Sequence, residues 1–138
     1  MASTSVSRIV PASPDRVWQL VGGFGSLPDW LPYIPSSTLE EGGRTRRLAN
    51  PNGEVIVERL IAFNEDERQY SYAILQAPFP VVDYLSTLRV HAVSGNDDIA
   101  EVQWSGRFVA EGASDDEVVA LFTGIYRDGL EALDKALG

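Results

Sequence analysis

The sequence predicts an α+β fold in which a curved, seven-stranded antiparallel sheet surrounds a long C-terminal helix, with two short helices after the first strand. Seven segments read as strands, most clearly Ile99 to Ala110, where Val102, Trp104, Gly106 and Phe108 share one face. Ser114 and Glu117 form a capping box before a stripe of Val118, Leu121, Phe122, Ile125, Leu130, Leu133 and Leu137, which has the 3.6-residue period of an amphipathic helix. Between Glu54 and His91, Glu58, Tyr72, Tyr84 and Ser86 interrupt otherwise apolar inward faces. Buried polar groups need partners or water, so this pattern predicts a hollow between sheet and helix.

Ser3 to Val10 reads as the first strand. Ser13 then supplies an N-cap and Pro14 a first helical residue, leading into Val17, Trp18, Leu20 and Val21. Gly22, Gly23 and Gly25 end this helix. Leu27, Trp30, Leu31 and Ile34 have helical spacing again, interrupted by Pro32 and closed by Pro35. Trp18, Phe24 and Trp30 are expected to anchor these helices in the core. Ser37 to Glu41 and Arg44 to Ala49 flank Gly42 and Gly43, which predicts a hairpin. Its arginines, Arg44, Arg46 and Arg47, read as a solvated edge paired with neighbouring glutamates. Glu54 to Phe63, Gln69 to Gln76 and Val82 to Val93 are the next strands, joined through Asn64 to Arg68 and Ala77 to Val81. Asp115 and Asp116 place negative charge at the positive end of the final helix. Inside it, Gly124 and Gly129 each cost about 1 kcal/mol relative to alanine. A close backbone approach, access to the hollow or tolerance on a solvated turn would each account for them.

The 138 residues suit one domain, 1–138, with 44% hydrophobic and 22% charged residues. No segment approaches the run of ~20 apolar residues that spans a bilayer, so no integral membrane association is expected. No basic and then apolar N-terminal stretch suggests a signal peptide, and the cytoplasm is the expected location. The absence of cysteine excludes disulfides, thiol nucleophiles and thiolate metal sites. A net charge of −9 disfavours nucleic acid and anionic lipid surfaces as partners. The sequence identifies no protein partner.

Period-two counting directs Ile56, Glu58, Leu60 and Ala62, then Tyr70, Tyr72 and Ile74, then Tyr84, Ser86, Leu88 and Val90 toward the hollow. Candidate ligand-binding residues are Glu58, Leu60, Tyr72, Ile74, Tyr84, Ser86, Leu88, Trp104 and Phe108 from the strands. Trp30 from the second helix, with Phe122 and Ile125 from the last, completes the set. Glu58 and Tyr84 are the catalytic candidates. Glu58 would bind a ligand hydroxyl or amine, or act as a general acid/base where burial raises its pKa. The competing reading is a structural carboxylate, paired with Arg47 or held by tyrosine hydroxyls. Tyr72, Tyr84 and Trp104 offer apolar faces with single polar handles, suited to aromatic or polycyclic ligands. The loops Ala49 to Gly53 and Ala77 to Val81 are expected to frame an entrance. His91, the only histidine, counts onto the opposite face, which disfavours a Ser-His-Asp triad and a zinc site. Gly22-Gly23-Phe24-Gly25 lacks the context of a phosphate loop, and neither cofactor nor metal is expected.

Particular strings, in this order of elements, carry a resemblance. They are Pro14-Asp15-Arg16-Val17-Trp18, Glu58-Arg59-Leu60, Tyr70-Ser71-Tyr72, Tyr84-Leu85-Ser86-Thr87-Leu88, Trp104 and Tyr126-Arg127-Asp128-Gly129-Leu130. The chain resembles the START-related, birch-pollen-allergen-like SRPBCC superfamily, in its polyketide cyclase/dehydrase-like branch. The resemblance spans nearly the whole chain and implies the helix-grip fold. It implies function only broadly, since the superfamily holds lipid carriers, hormone receptors, aromatase/cyclases and many uncharacterised bacterial proteins. Glu58, Tyr84 and Ser86 are similar to cavity motifs of plant abscisic-acid receptors. The Ser-Gly-Leu-Pro gate of those receptors is here Ala49-Asn50-Pro51-Asn52-Gly53, and their cavity lysine falls near Pro35 or a neighbouring serine. Both departures argue against the same hormone. The function implied is binding or carriage of a small hydrophobic molecule, whether lipid, aromatic or polyketide-like. The alternative is a cyclase/dehydratase in which Glu58 moves protons with Tyr72 or Tyr84. On the carrier reading, Glu58→Gln is expected to weaken a polar ligand and leave the fold intact.

Overall fold

The computed structural model describes residues 1–138. Its elements run β1 (Ala2–Val10), α1 (Pro14–Val21), α2 (Leu27–Trp30), β2 (Ser36–Glu40), β3 (Thr45–Ala49), β4 (Val55–Asn64), β5 (Gln69–Gln76), β6 (Val81–Val93), β7 (Asn96–Ala110) and α3 (Asp115–Leu137). The seven strands form one antiparallel sheet in the order β1-β7-β6-β5-β4-β3-β2. The fold is therefore the helix-grip arrangement, with α3 packed mainly on β1 and β7. Arg8 on β1 ties the far end of α3 through Asp134 at 2.8 Å.

Local chemistry explains most element boundaries. Ser13 Oγ accepts from the Arg16 amide, and Ser114 Oγ accepts from the Glu117 amide, so both predicted caps are formed. Helix α2 is one turn and stops before the predicted Leu31–Ile34 segment. Leu31 precedes Pro32, which disfavours helical backbone in the preceding residue, and it sits extended at φ −110°, ψ 102°. The β2–β3 hairpin turns through a short 3₁₀ segment, Glu41–Gly43.

Two departures from simple alternation shape the interior. Strand β4 shifts register between Val57 and Glu58 and again between Leu60 and Ala62, so its inward face is not held along its length. Ile56, Glu58 and half-buried Leu60 keep the expected face, Leu60 lying opposite Tyr72, whereas Ala62 falls opposite Ser71 and is exposed. Strand β6 shifts between Val82 and Leu85, with Asp83 at φ 51°. Tyr84, Ser86, Leu88 and Val90 then alternate inward.

The buried stripe of α3 is Val118, Phe122, Tyr126, Gly129, Leu130, Leu133 and Leu137. Leu121 is exposed instead, and Tyr126 occupies the central position. Helix and sheet interlock here. A side chain on Gly129 would lie 2.6 Å from the Trp104 ring, and one on Gly106 of β7 would meet the Tyr126 hydroxyl. Each element thus lacks a side chain where the other inserts an aromatic ring, and the two rings stack with centroids 4.9 Å apart. Close approach accounts for Gly129. Gly124 has only the Arg127 tip, at 3.8 Å, near the position of an added Cβ, and is simply tolerated.

Candidate functional site

Between the concave sheet and α3 lies a cavity of about 230 Å³. Its wall includes Glu58, Tyr72, Ile74, Tyr84, Trp104, Phe122 and Ile125 from the candidate set. Five other candidates sit behind that wall. Ser86 is fully buried, with its hydroxyl donating to the Ser105 carbonyl at 2.7 Å. Leu88 and Phe108 are core residues, Phe108 lying parallel to Tyr84 at 6.0 Å. Trp30 packs against Trp104 from outside, and Leu60, cross-strand from Tyr72, keeps the inward face but lies outside the cavity lining. Asn50 and Pro51 from one expected entrance loop, and Phe79 from the other, also line the space. His91 lies away from it, bonded to Gln103 at 3.0 Å.

Arg46 is the residue whose role counting along the chain did not reveal. It was expected on a solvated edge, yet it is completely buried and forms part of the wall. Arg47 is the exposed neighbour, paired with Glu40 at 3.0 Å rather than with Glu58. Leu48, two residues after Arg46, is the available signal, because an inward leucine puts position 46 on the same face. Burying an unpaired guanidinium would be prohibitive, and the structure supplies partners throughout. Arg46 Nε and Nη2 each lie 2.8 Å from Glu58 Oε1, while Nη1 donates to the Phe24 carbonyl at 3.1 Å and the Tyr70 hydroxyl at 3.4 Å. The guanidinium also rests on the rings of Phe24, at 4.2 Å, and Tyr72, at 4.7 Å.

Burial, the largest effect on Arg46, works against its charge, but Tyr70, Glu58 and Tyr72 more than offset it and hold its pKa above the ordinary value. Burial likewise pushes the Glu58 carboxyl up, and Arg46 opposes that rise. The phenols form a second polar group. Trp104 Nε1 donates to Tyr72 and to Ser86 Oγ, both at 3.1 Å, and the hydroxyls of Tyr84 and Tyr126 bond directly. Burial raises Tyr72 and Tyr84 well above the usual tyrosine range and Tyr126 to about 12. Tyr33, at the cavity rim, is pushed up to about 12 by burial, with Asp128 and Glu131 adding to it. At neutral pH every phenol here is a neutral donor and acceptor.

Comparisons with known proteins agree with this geometry. The family model for polyketide cyclase/dehydrase and lipid transport matches residues 1–138. An uncharacterised protein from Bacillus thuringiensis is 54% identical, with 99% of this chain and 98% of that one covered at a TM-score of 0.96. The protein XoxI from Bacillus cereus is 55% identical, covering 99% and 96% at the same TM-score of 0.96. The Zhui aromatase/cyclase from a Streptomyces species shares the fold at a TM-score of 0.76, with 16% identity over 98% of this chain and 92% of that one. No curated protein matches the chain in sequence. No helix is long and apolar enough to cross a membrane. With the fold, the cavity between sheet and helix and a match over the full length in agreement, the chain belongs to the polyketide cyclase/dehydrase and lipid-transport family of the SRPBCC superfamily.

Proposed function

We propose that this protein binds, and in doing so sequesters or carries, a small hydrophobic molecule in the cavity between sheet and α3. The observation that supports this reading is the wall itself: 14 of its 18 residues are hydrophobic, so apolar burial dominates the affinity available there. Each 100 Å² of apolar ligand surface removed from water contributes about 2.5 kcal/mol before ordering costs. The few polar groups orient the ligand. Glu58, Tyr72, Tyr84 and Trp104 are the orienting residues, and the loops holding Pro51 and Phe79 frame the entrance.

Native mass spectrometry of protein purified without detergent tests this, followed by displacement with lipids and aromatic polyketides. A stoichiometric adduct is expected. A clean unliganded mass with no binding across the panel would overturn the reading.

A second reading, a cyclase/dehydrase-type enzyme, draws on the raised Glu58 carboxyl beside a cluster of raised phenols in one cavity. It requires turnover and a pH profile that reports Glu58, whereas a carrier shows stoichiometric binding alone.

A further inference from the structure

The cavity's polar inventory narrows its ligand further. Arg46 and Glu58 are the only charged side chains in the wall, and they neutralise each other. A ligand carrying charge of either sign would therefore leave one buried charge without a partner, the costly case. All but one of the strong N–H donors are already committed, the exception being the second Nη2 hydrogen of Arg46. Arg46 bonds Glu58, Phe24 and Tyr70, and the Trp104 indole bonds Tyr72 and Ser86. Both short guanidinium contacts to Glu58 fall on Oε1, and no protein donor bonds Oε2. The phenols rotate to donate or accept and do not discriminate, whereas a carboxylate oxygen only accepts. Size sets the other limit. About 230 Å³ lies between the roughly 150 Å³ that holds benzene and the roughly 300 Å³ where drug-sized pockets begin.

We infer that the ligand is a neutral molecule of one or two rings that presents a hydroxyl or N–H donor to Glu58 Oε2, and that carboxylates and long acyl chains are excluded. This rests on the binding reading above and specifies its chemistry.

The test is a matched set of probes on the unmodified protein at neutral pH: naphthalene, 2-naphthol, 2-methoxynaphthalene and 2-naphthoate, with affinities by titration calorimetry. A hydrogen bond to a charged acceptor predicts that 2-naphthol binds roughly tenfold or more tighter than 2-methoxynaphthalene. 2-Naphthoate is expected to bind weakest. The Trp104 indole N–H resonance should shift on binding while that of Trp18, which is not part of the wall, stays fixed. Equal affinity for the hydroxyl and methoxy probes, or tightest binding of 2-naphthoate, would overturn the inference and leave the carrier reading standing. So would a palmitate or phospholipid that binds where none of the four probes does. Failure of every probe and every lipid would overturn both.

Discussion

Arg46 keeps its charge in the interior because four partners from three segments surround it: the Phe24 carbonyl, the Glu58 carboxylate, the Tyr70 hydroxyl and the Tyr72 ring. Removing one member of such a pair leaves the other as an uncompensated buried charge, which costs about 3–5 kcal/mol. Glu58→Gln is therefore expected to lower the urea midpoint strongly, at an unchanged denaturant slope. The double variant Arg46→Met/Glu58→Leu should recover most of that loss, because well-packed apolar replacements avoid both desolvation costs. A Glu58→Gln midpoint equal to wild type would show that the pair does not hold the charge as the geometry indicates. The sequence-based expectation that this substitution spares the fold gives way here, since Glu58 is bonded to Arg46. Ligand affinity measured on that variant would mix binding with stability.

Among the elements, α3 and β7 make the most specific fit, and its two helical glycines behave oppositely. Gly129→Ala drives a methyl group into the stacked Trp104 ring at 2.6 Å and is expected to destabilise by about 1–3 kcal/mol. Gly124→Ala meets only the flexible Arg127 tip, at 3.8 Å, and is expected to stabilise by up to about 1 kcal/mol through helix propensity. Thermal melts of the two variants should move in opposite directions, and a common direction would contradict the interlock. The elements themselves were legible: caps, turn glycines and alternation place every strand and α3 within a few residues. What escaped depended on contacts between elements. Arg46 looks solvated until Phe24, Glu58 and Tyr70 arrive from elsewhere in the chain. The bulge between Leu60 and Ala62 leaves no mark on period-two counting, which puts Ala62 on a face it leaves. Ser86, Leu88, Phe108 and Trp30 do lie inside the protein, but depth behind a cavity surface is a three-dimensional property that alternation does not encode. The helical stripe read from the sequence omits Tyr126, whose burial depends on the notch that Gly106 leaves in β7.

For the whole molecule, the buried phenols set an alkaline limit. Tyr126 titrates at about 12 in the folded protein, and Tyr72 and Tyr84 are also raised, whereas unfolded tyrosine ionises near ~10. Between these values the unfolded chain holds fewer protons than the folded one, so stability falls as pH rises; below them both states are protonated and nothing is lost. Urea midpoints should drop as pH climbs from about 10 toward 12, with Tyr126 alone contributing on the order of 2–3 kcal/mol. Tyr126→Phe should flatten that limb, and an unchanged slope would contradict the assignment. Glu58, also raised, has the same sign at lower pH: stability falls as pH climbs from the ordinary carboxyl value through the folded one. The paired notches at Gly106 and Gly129 have a mechanical consequence as well. Sliding α3 along the sheet, or turning it about its axis, would drive Tyr126 and Trp104 into backbone, so helix and sheet behave as one rigid body behind the cavity. Volume cannot then be gained by a piston stroke of the helix. On the binding reading, admission of a ligand would fall to the loops that carry Pro51 and Phe79, and sequence changes there would retune the size of the guest without disturbing the frame.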